Sequence, residues 1–165
     1  MKRVLSIQDI SCIGKCSLTV ALPIISAMGI ETSILPTSIL STHTMFNDFT
    51  FRDLTDDMEP IKKHWQKEGF SFDAIYTGYL GSEKQITLVK DYFGNTCKYI
   101  IVDPAMADNG KLYSGFDKDF PLKMAKLCKY ADVILPNISE AAFMTGMPYP
   151  GENASNECIK DLLLS

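Results

Sequence analysis

Apolar residues recur along this chain in two alternating rhythms. Short β-branched and apolar runs at 3–8, 31–36, 73–77, 98–102 and 132–135 have the length and composition of strands. Between them, apolar positions fall at helical spacing. Leu18, Ala21, Leu22, Ile25 and Met28 mark a helix over 17–28, stopped by Gly29. Met58, Ile61 and Trp65 mark a helix over 57–68, closed by Gly69. Ile86, Val89 and Phe93 form the stripe of a third helix, with Ser82 and Gln85 spaced as a capping box at its start. Further helices are predicted over 122–130, 139–145 and 157–164. The run Lys98-Tyr99-Ile100-Ile101-Val102 reads as the most buried strand. Strands alternating with helices predict an α/β fold of three layers, a mostly parallel central sheet with helices on both faces.

Length and composition fit that picture. The 165 residues, 46% hydrophobic and 22% charged, suffice for one globular domain spanning 1–165. Residues 147–155, rich in Pro, Gly, Asn and Ser, read as a loop. The apolar pattern at 159–164 has no stop signal after it, so the domain is expected to continue in full-length relatives. A net charge of -4 argues against a general nucleic-acid binder. No apolar run is long enough to span a bilayer, and Gln8 and Asp9 break the one that follows the basic start. The five cysteines, odd in number and without a secretory signal, read as reduced thiols of a cytoplasmic protein. Cys12 and Cys16 are not at redox-pair spacing, and His43 and His64 are too few to complete a zinc set, so small buried side chains are expected.

In parallel sheets ligands gather beyond the carboxyl ends of the strands, which directs attention to the residues after each one. Asp9 follows the first. Its carboxylate suits a pyridinium N–H or an amine, and equally a helix cap. The neighbouring Gly14-Lys15-Cys16-Ser17 lacks the first glycine of a P-loop, because position 9 is Asp, and its hydroxyl falls one place late. After the second strand, Ser41-Thr42-His43-Thr44 offers hydroxyls and an imidazole, fit for a small ligand or for a self-bonded turn. After the third, Tyr79 stands between Gly78 and Gly81, where backbone and ring can approach a ligand or close a tight turn. Asp103 and Asp108 follow the fourth, as Mg²⁺-side carboxylates or as turn residues. Asn137 and Glu140 follow the last, at N-cap and N3 spacing, where a helix start can also meet a nucleotide or its metal.

Taken in order, Leu5-Ser6-Ile7-Gln8, Ser41-Thr42-His43-Thr44, Thr77-Gly78-Tyr79-Leu80-Gly81, Val102-Asp103-Pro104 and Pro136-Asn137-Ile138-Ser139-Glu140 with Thr145-Gly146 resemble the ribokinase-like superfamily, most closely its pyridoxal/pyridoxamine kinase branch. The resemblance implies transfer of the ATP γ-phosphoryl group to the 5′-hydroxymethyl of a B6 vitamer, with ATP and Mg²⁺ as cofactors, in vitamin B6 salvage. It implies substrate contacts from Asp9, His43, Thr44 and Tyr79. It places Asp103, Asp108, Asn137 and Glu140 on the ATP side, with Asp103 and Glu140 acting indirectly on the metal. It also implies a homodimer.

The chain departs from the family pattern in several places. Asp9 stands where Ser is common, which predicts a preference for an amine-bearing vitamer such as pyridoxamine. Met45-Phe46-Asn47-Asp48-Phe49 lacks the glycines usual in the substrate flap, and Ala105 and Ala107 replace the commoner Val and Gly. The Gly-rich loop that ends in the catalytic Asp is absent, so no catalytic residue is assigned and the chain alone is expected to be inactive. Two rivals stand beside this reading. One is a hydroxymethylpyrimidine or other small-alcohol kinase of the same superfamily. The other is a non-catalytic ligand-binding remnant.

Overall fold

The computed structural model describes residues 2–93, 97–151 and 153–164. In chain order the elements are β1 (Arg3–Ser11), α1 (Leu18–Ala27), β2 (Glu31–Leu40), β3 (Phe51–Asp53), α2 (Thr55–Lys67), β4 (Ala74–Thr77), α3 (Glu83–Phe93), β5 (Tyr99–Val102), β6 (Ala107–Asp108), β7 (Lys111–Leu112), α4 (Phe120–Cys128), β8 (Val133–Ile134), α5 (Ile138–Thr145) and α6 (Asn156–Leu164). The expected mostly parallel sheet flanked by helices is present. Its order is β3-β2-β1-β4-β5-β8, and each pairing except β2–β3 is parallel.

Side chains alternate across a strand, so β1, at the centre, faces two layers. Leu5 and Ile7, both fully buried, join Leu35, Met58, Ile75, Leu80, Val89, Val102, Met106, Met124 and Leu127 in the main core. Each such side chain stabilises the fold by about 1.5–3 kcal/mol through burial. The alternate positions, Ser6 and Gln8, are polar and also buried, and Gln8 Nε2 donates to Ser6 Oγ at 3.1 Å.

Several elements differ from expectation for identifiable reasons. β1 and β2 run longer than their apolar cores, because polar residues at their carboxyl ends keep the ladder going. β3 has no alternating pattern, since all three of its residues are exposed, and it pairs antiparallel to β2 as the far arm of a hairpin. The β6–β7 pair, two residues a side, is too short to leave a periodic signal. The strand read as most buried, β5, buries only Val102, and Tyr99 is 53% exposed. Its outer neighbour β8 is a two-residue strand with both residues exposed, so little covers it. In α1 only Leu18 is buried, while Leu22 and Met28 are exposed. In α3 the buried stripe is Ile86, Val89 and Tyr92, with Phe93 packed against its margin. Glu152, within the loop read over 147–155, lies outside the described residues.

Candidate functional site

The carboxyl end of β1 carries an irregularity that shapes the site. Gln8 pairs with Pro36 but Ile10 pairs with Ile39, so Thr37 and Ser38 of β2 together stand opposite Asp9. A bulge of this kind re-aims side chains and recurs beside active sites. Just beyond it lies a cavity of about 390 Å³, into which Asp9, Ser11, His43, Thr44, Tyr79, Asp108 and Tyr113 all project as lining. All four residues expected to contact the substrate therefore meet there.

Each is held from a different element. Asp9 is 6% exposed, and its Oδ2 accepts the Ser11 hydroxyl at 3.2 Å. His43 sits on the loop between β2 and β3, which Ser41 closes by accepting the Thr50 N–H at 2.9 Å. The His43 N–H donates to the Ile13 carbonyl at 3.1 Å, and its ring lies against Gly14. A Cβ at Gly14 would stand 2.0 Å from His43 Cδ2, and Gly14 has φ +127, so glycine is required twice over. Thus the loop after β1 and the loop after β2 are packed on each other at the cavity mouth. Gly78 allows a second close approach, since a Cβ there would lie 2.9 Å from the Gln8 side chain. Tyr79 follows it. The Tyr79 carbonyl accepts Thr37 Oγ1 at 3.0 Å, and its ring packs beside Phe116, which stacks on Phe120.

Electrostatics keep the two tyrosines protonated. Burial raises the Tyr79 phenol, helped by the negative charges of Asp9 and Asp53. Tyr113 is pushed up to about 12, by burial first and then by Glu140, Asp108, Asp103 and Asp9. The cavity therefore offers phenolic O–H donors alongside carboxylate acceptors, a set suited to a small polar ring. Tyr113 was missed from sequence because it follows the short β6–β7 pair and not a strand of the main sheet.

A second cavity, about 400 Å³, adjoins the first and shares Cys16, Ser17, Tyr79 and Ala105 with it. Gln8, Lys15, Tyr76 and Asp103 form its polar wall, and Val20, Ala21, Ile24 and Ile25 of α1 its apolar one. Burial raises the Asp103 carboxyl, opposed by the Tyr76 hydroxyl at 3.4 Å from Oδ2. The two aspartates grouped together from sequence part company here: Asp103 lines this chamber and Asp108 the first.

Asn137 and Glu140 line neither cavity. They form a complete capping box at the start of α5: Glu140 N–H donates to Asn137 Oδ1 at 2.9 Å, and Asn137 N–H to Glu140 Oε2 at 2.8 Å. Asn137 Nδ2 donates to the Ala107 carbonyl at 2.8 Å, and the Met106 N–H donates to Glu140 Oε1 at 3.2 Å. Glu140 is 2% exposed, and burial pushes its carboxyl up to about 7 against the pull of the Asn137, Met106 and Ala107 N–H groups. Among the described residues no cluster of three or more His, Cys, Asp or Glu side chains is arranged to hold a metal.

A further cavity of about 370 Å³, with Lys90, Lys123, Lys126 and Lys129 around it, lies between α3 and α4, away from the strand ends.

The mostly parallel sheet with polar cavities at its strand carboxyl ends is an α/β architecture, and the solved structures that it matches place it in the ribokinase-like class. Residues 31–164 match the family model described as phosphomethylpyrimidine kinase, and the chain belongs to that family. Its relatives there include pyridoxal kinases. A Bacteroides thetaiotaomicron protein, provisionally named a phosphomethylpyrimidine kinase and crystallised with pyridoxal, is 42% identical, with a TM-score of 0.92 over 99% of this chain and 58% of its own. Pyridoxal kinase from Lactobacillus plantarum is 38% identical, with a TM-score of 0.89 over 99% of this chain and 59% of its own. A protein of Schizosaccharomyces pombe, provisionally named a pyridoxal kinase, is 27% identical over 98% of this chain and 54% of its own. The chain thus spans little more than half the length of these relatives. No helix among the described residues is long and apolar enough to cross a membrane.

Proposed function

We propose that residues 1–165 form one α/β domain that supplies the substrate pocket, and part of the MgATP site, of a B6-vitamer kinase. The carrying observation is the convergence of Asp9, His43, Thr44 and Tyr79 on one cavity at the strand carboxyl ends. In this reading Asp9 accepts a hydrogen bond from a ring or amine N–H, and Tyr79 and Tyr113 donate from phenols that burial keeps protonated. His43 and Thr44 close the mouth. The adjoining chamber, with Lys15 and Asp103, faces the phosphates. Phosphoryl transfer depends mainly on positioning and charge neutralisation, which two chambers sharing one wall provide.

Mg²⁺ fits such a site because it keeps most of its waters and takes one or two carboxylates plus phosphate oxygens, so it needs no dense ligand cluster. Asp103 would hold it. Glu140, whose two oxygens already accept backbone N–H groups, would act through water. The ion would supply neutralisation of phosphate charge. Asn137 and Asp108 complete the ATP side, Asn137 through the helix start that it caps and Asp108 from the lining of the vitamer cavity. No Gly-x-Gly-Asp loop occurs in these 165 residues, so the chain binds and does not turn over on its own. A cytoplasmic homodimer is proposed.

The pyridoxal in a 42% identical relative favours a B6 vitamer. The name of the matching family favours the rival, hydroxymethylpyrimidine. Calorimetric titration of the chain with pyridoxal, pyridoxamine, hydroxymethylpyrimidine and MgATP decides between them. The expected result is one site with a vitamer affinity at least about tenfold above that for the pyrimidine, a difference of about 1.4 kcal/mol. Binding of none would overturn the substrate-pocket reading, and robust ADP release by the chain alone would overturn its inactivity.

A further inference from the structure

Gln85, four residues beyond the Tyr79 segment, is fully buried on α3, and its amide is bonded on every side. Its Oε1 accepts the Gly81 N–H at 2.7 Å. Its Nε2 donates to the Thr37 carbonyl at 2.9 Å and to Thr55 Oγ1 at 2.9 Å, with Asp53 Oδ1 at 3.4 Å. A glutamine at N3 of a capping box bonds back to the N–H of the cap residue. Here half of that arrangement is present, since Ser82 Oγ accepts the Gln85 N–H at 3.2 Å. The Gln85 side chain passes the cap and takes the N–H of Gly81 instead. That leaves its NH₂ free to reach the β2 bulge.

The bulge is what makes this reach possible. Thr37 is one of the two β2 residues facing Asp9. Its carbonyl accepts both the Leu54 N–H and Gln85 Nε2. Its hydroxyl donates to the Tyr79 carbonyl. Gly81 and Tyr79 are therefore tied to the same bulge residue, one through the Gln85 side chain and one directly. The loop that presents the Tyr79 ring is clamped at both ends to the strand that opposes Asp9. Asp53, at the end of β3, accepts from Thr55 N at 2.7 Å and from Thr55 Oγ1, which fixes the third acceptor around the Gln85 amide.

We infer that Gln85 is a positioning residue: through Gly81 and Thr37 it sets the distance between the Tyr79 ring and Asp9, and so the affinity of the cavity for its ring-shaped substrate. The inference rests on the reading of that cavity as the vitamer site. A buried amide that makes all of these bonds is costly to move, so the loop is held in one place and not merely attached. Gln85 touches no ligand in this account and acts only through Tyr79.

The test compares Gln85→Met with Tyr92→Phe in the whole chain. Tyr92 lies on the same helix, and its hydroxyl donates to the Met58 carbonyl at 3.2 Å, away from the Tyr79 loop. Gln85→Met loses the buried hydrogen bonds to Gly81, Thr37 and Thr55, and Tyr92→Phe the one to Met58. Pyridoxal affinity and amide hydrogen exchange at Leu80 and Gly81 are measured beside thermal stability. Gln85→Met is expected to weaken pyridoxal binding about tenfold and to speed Gly81 exchange by at least about tenfold, while Tyr92→Phe lowers stability with both unchanged. Equal effects of the two variants, or unchanged Gly81 exchange in Gln85→Met, would overturn the inference whether or not pyridoxal binds. Faster Gly81 exchange with no pyridoxal binding by the unsubstituted chain would sink the vitamer reading, and the specificity role with it, and leave the clamp as structure alone.

Discussion

Two ends of the same sheet rim use their polar residues in opposite ways. At the start of α5, Asn137 and Glu140 direct their side-chain hydrogen bonds at backbone groups of the chain itself. At the end of β1, Asp9 has one side-chain partner among the described residues, Ser11, and otherwise faces a cavity with His43, Thr44 and Tyr79. Both ends look alike in sequence, as short polar stretches after an apolar run. The difference lies in where the partners are. Polar groups satisfied from within hold the fold, and polar groups left facing a cavity are available to a ligand.

The largest expected effect breaks the α5 end. Glu140→Ala removes the acceptor of both the Met106 and Asn137 N–H groups, and a buried unpaired donor costs about 1–3 kcal/mol. Thermal melting should fall by roughly 5–15 °C. Asp9→Ala should do the reverse: a melting temperature within roughly 3 °C of the parent, with pyridoxal affinity down roughly 10–100-fold, the range for a hydrogen bond to a charged group. Calorimetry and a melting curve on the two variants separate the roles, and a large stability loss in Asp9→Ala would erase the contrast.

A smaller effect comes from pH. The Glu140 carboxyl lies at about 7 in the folded chain, against 4.5 as its ordinary value, because burial penalises the charge. Between those values the folded chain holds a proton that the unfolded chain has released. The stabilisation is therefore complete below about pH 4.5 and is lost as pH rises through about 7. Melting temperature should drop by roughly 3–8 °C between about pH 5 and pH 8, and Glu140→Gln should flatten that slope. The smallest effect sharpens the other end. Asp9→Ser should shift the ratio of pyridoxamine to pyridoxal affinity toward pyridoxal by about threefold, under 1 kcal/mol, and an unchanged ratio would remove Asp9 from vitamer choice.

The regular elements were legible because their cause is periodic. Met58, Ile61 and Trp65 recur at helical spacing and pack against the core as that spacing requires. The cavity proposed for the vitamer was legible because the topology of a parallel sheet brings strand carboxyl ends to one rim, and Asp9, His43, Thr44 and Tyr79 line one cavity there. Tyr113, Gln85 and the separation of Asp108 from Asp103 were not legible. Tyr113 depends on a hairpin of two residues a side, and Gln85 on a one-residue register shift in β2, for which Pro36 just before Thr37 is the sole local sign. The exposure of Tyr99 could not be read either, since Lys98-Tyr99-Ile100-Ile101-Val102 is composed like a covered strand and its cover depends on the length of β8.

An amide-resolved NMR titration of the 165-residue chain with pyridoxal tests the central claim most directly. Saturable shifts at Asp9, His43, Thr44, Tyr79 and Tyr113, with Asn137, Glu140 and the lysine-lined cavity between α3 and α4 unmoved, are the predicted result. Shifts confined to Lys90, Lys126 and Lys129, or no saturable shift anywhere, would contradict it.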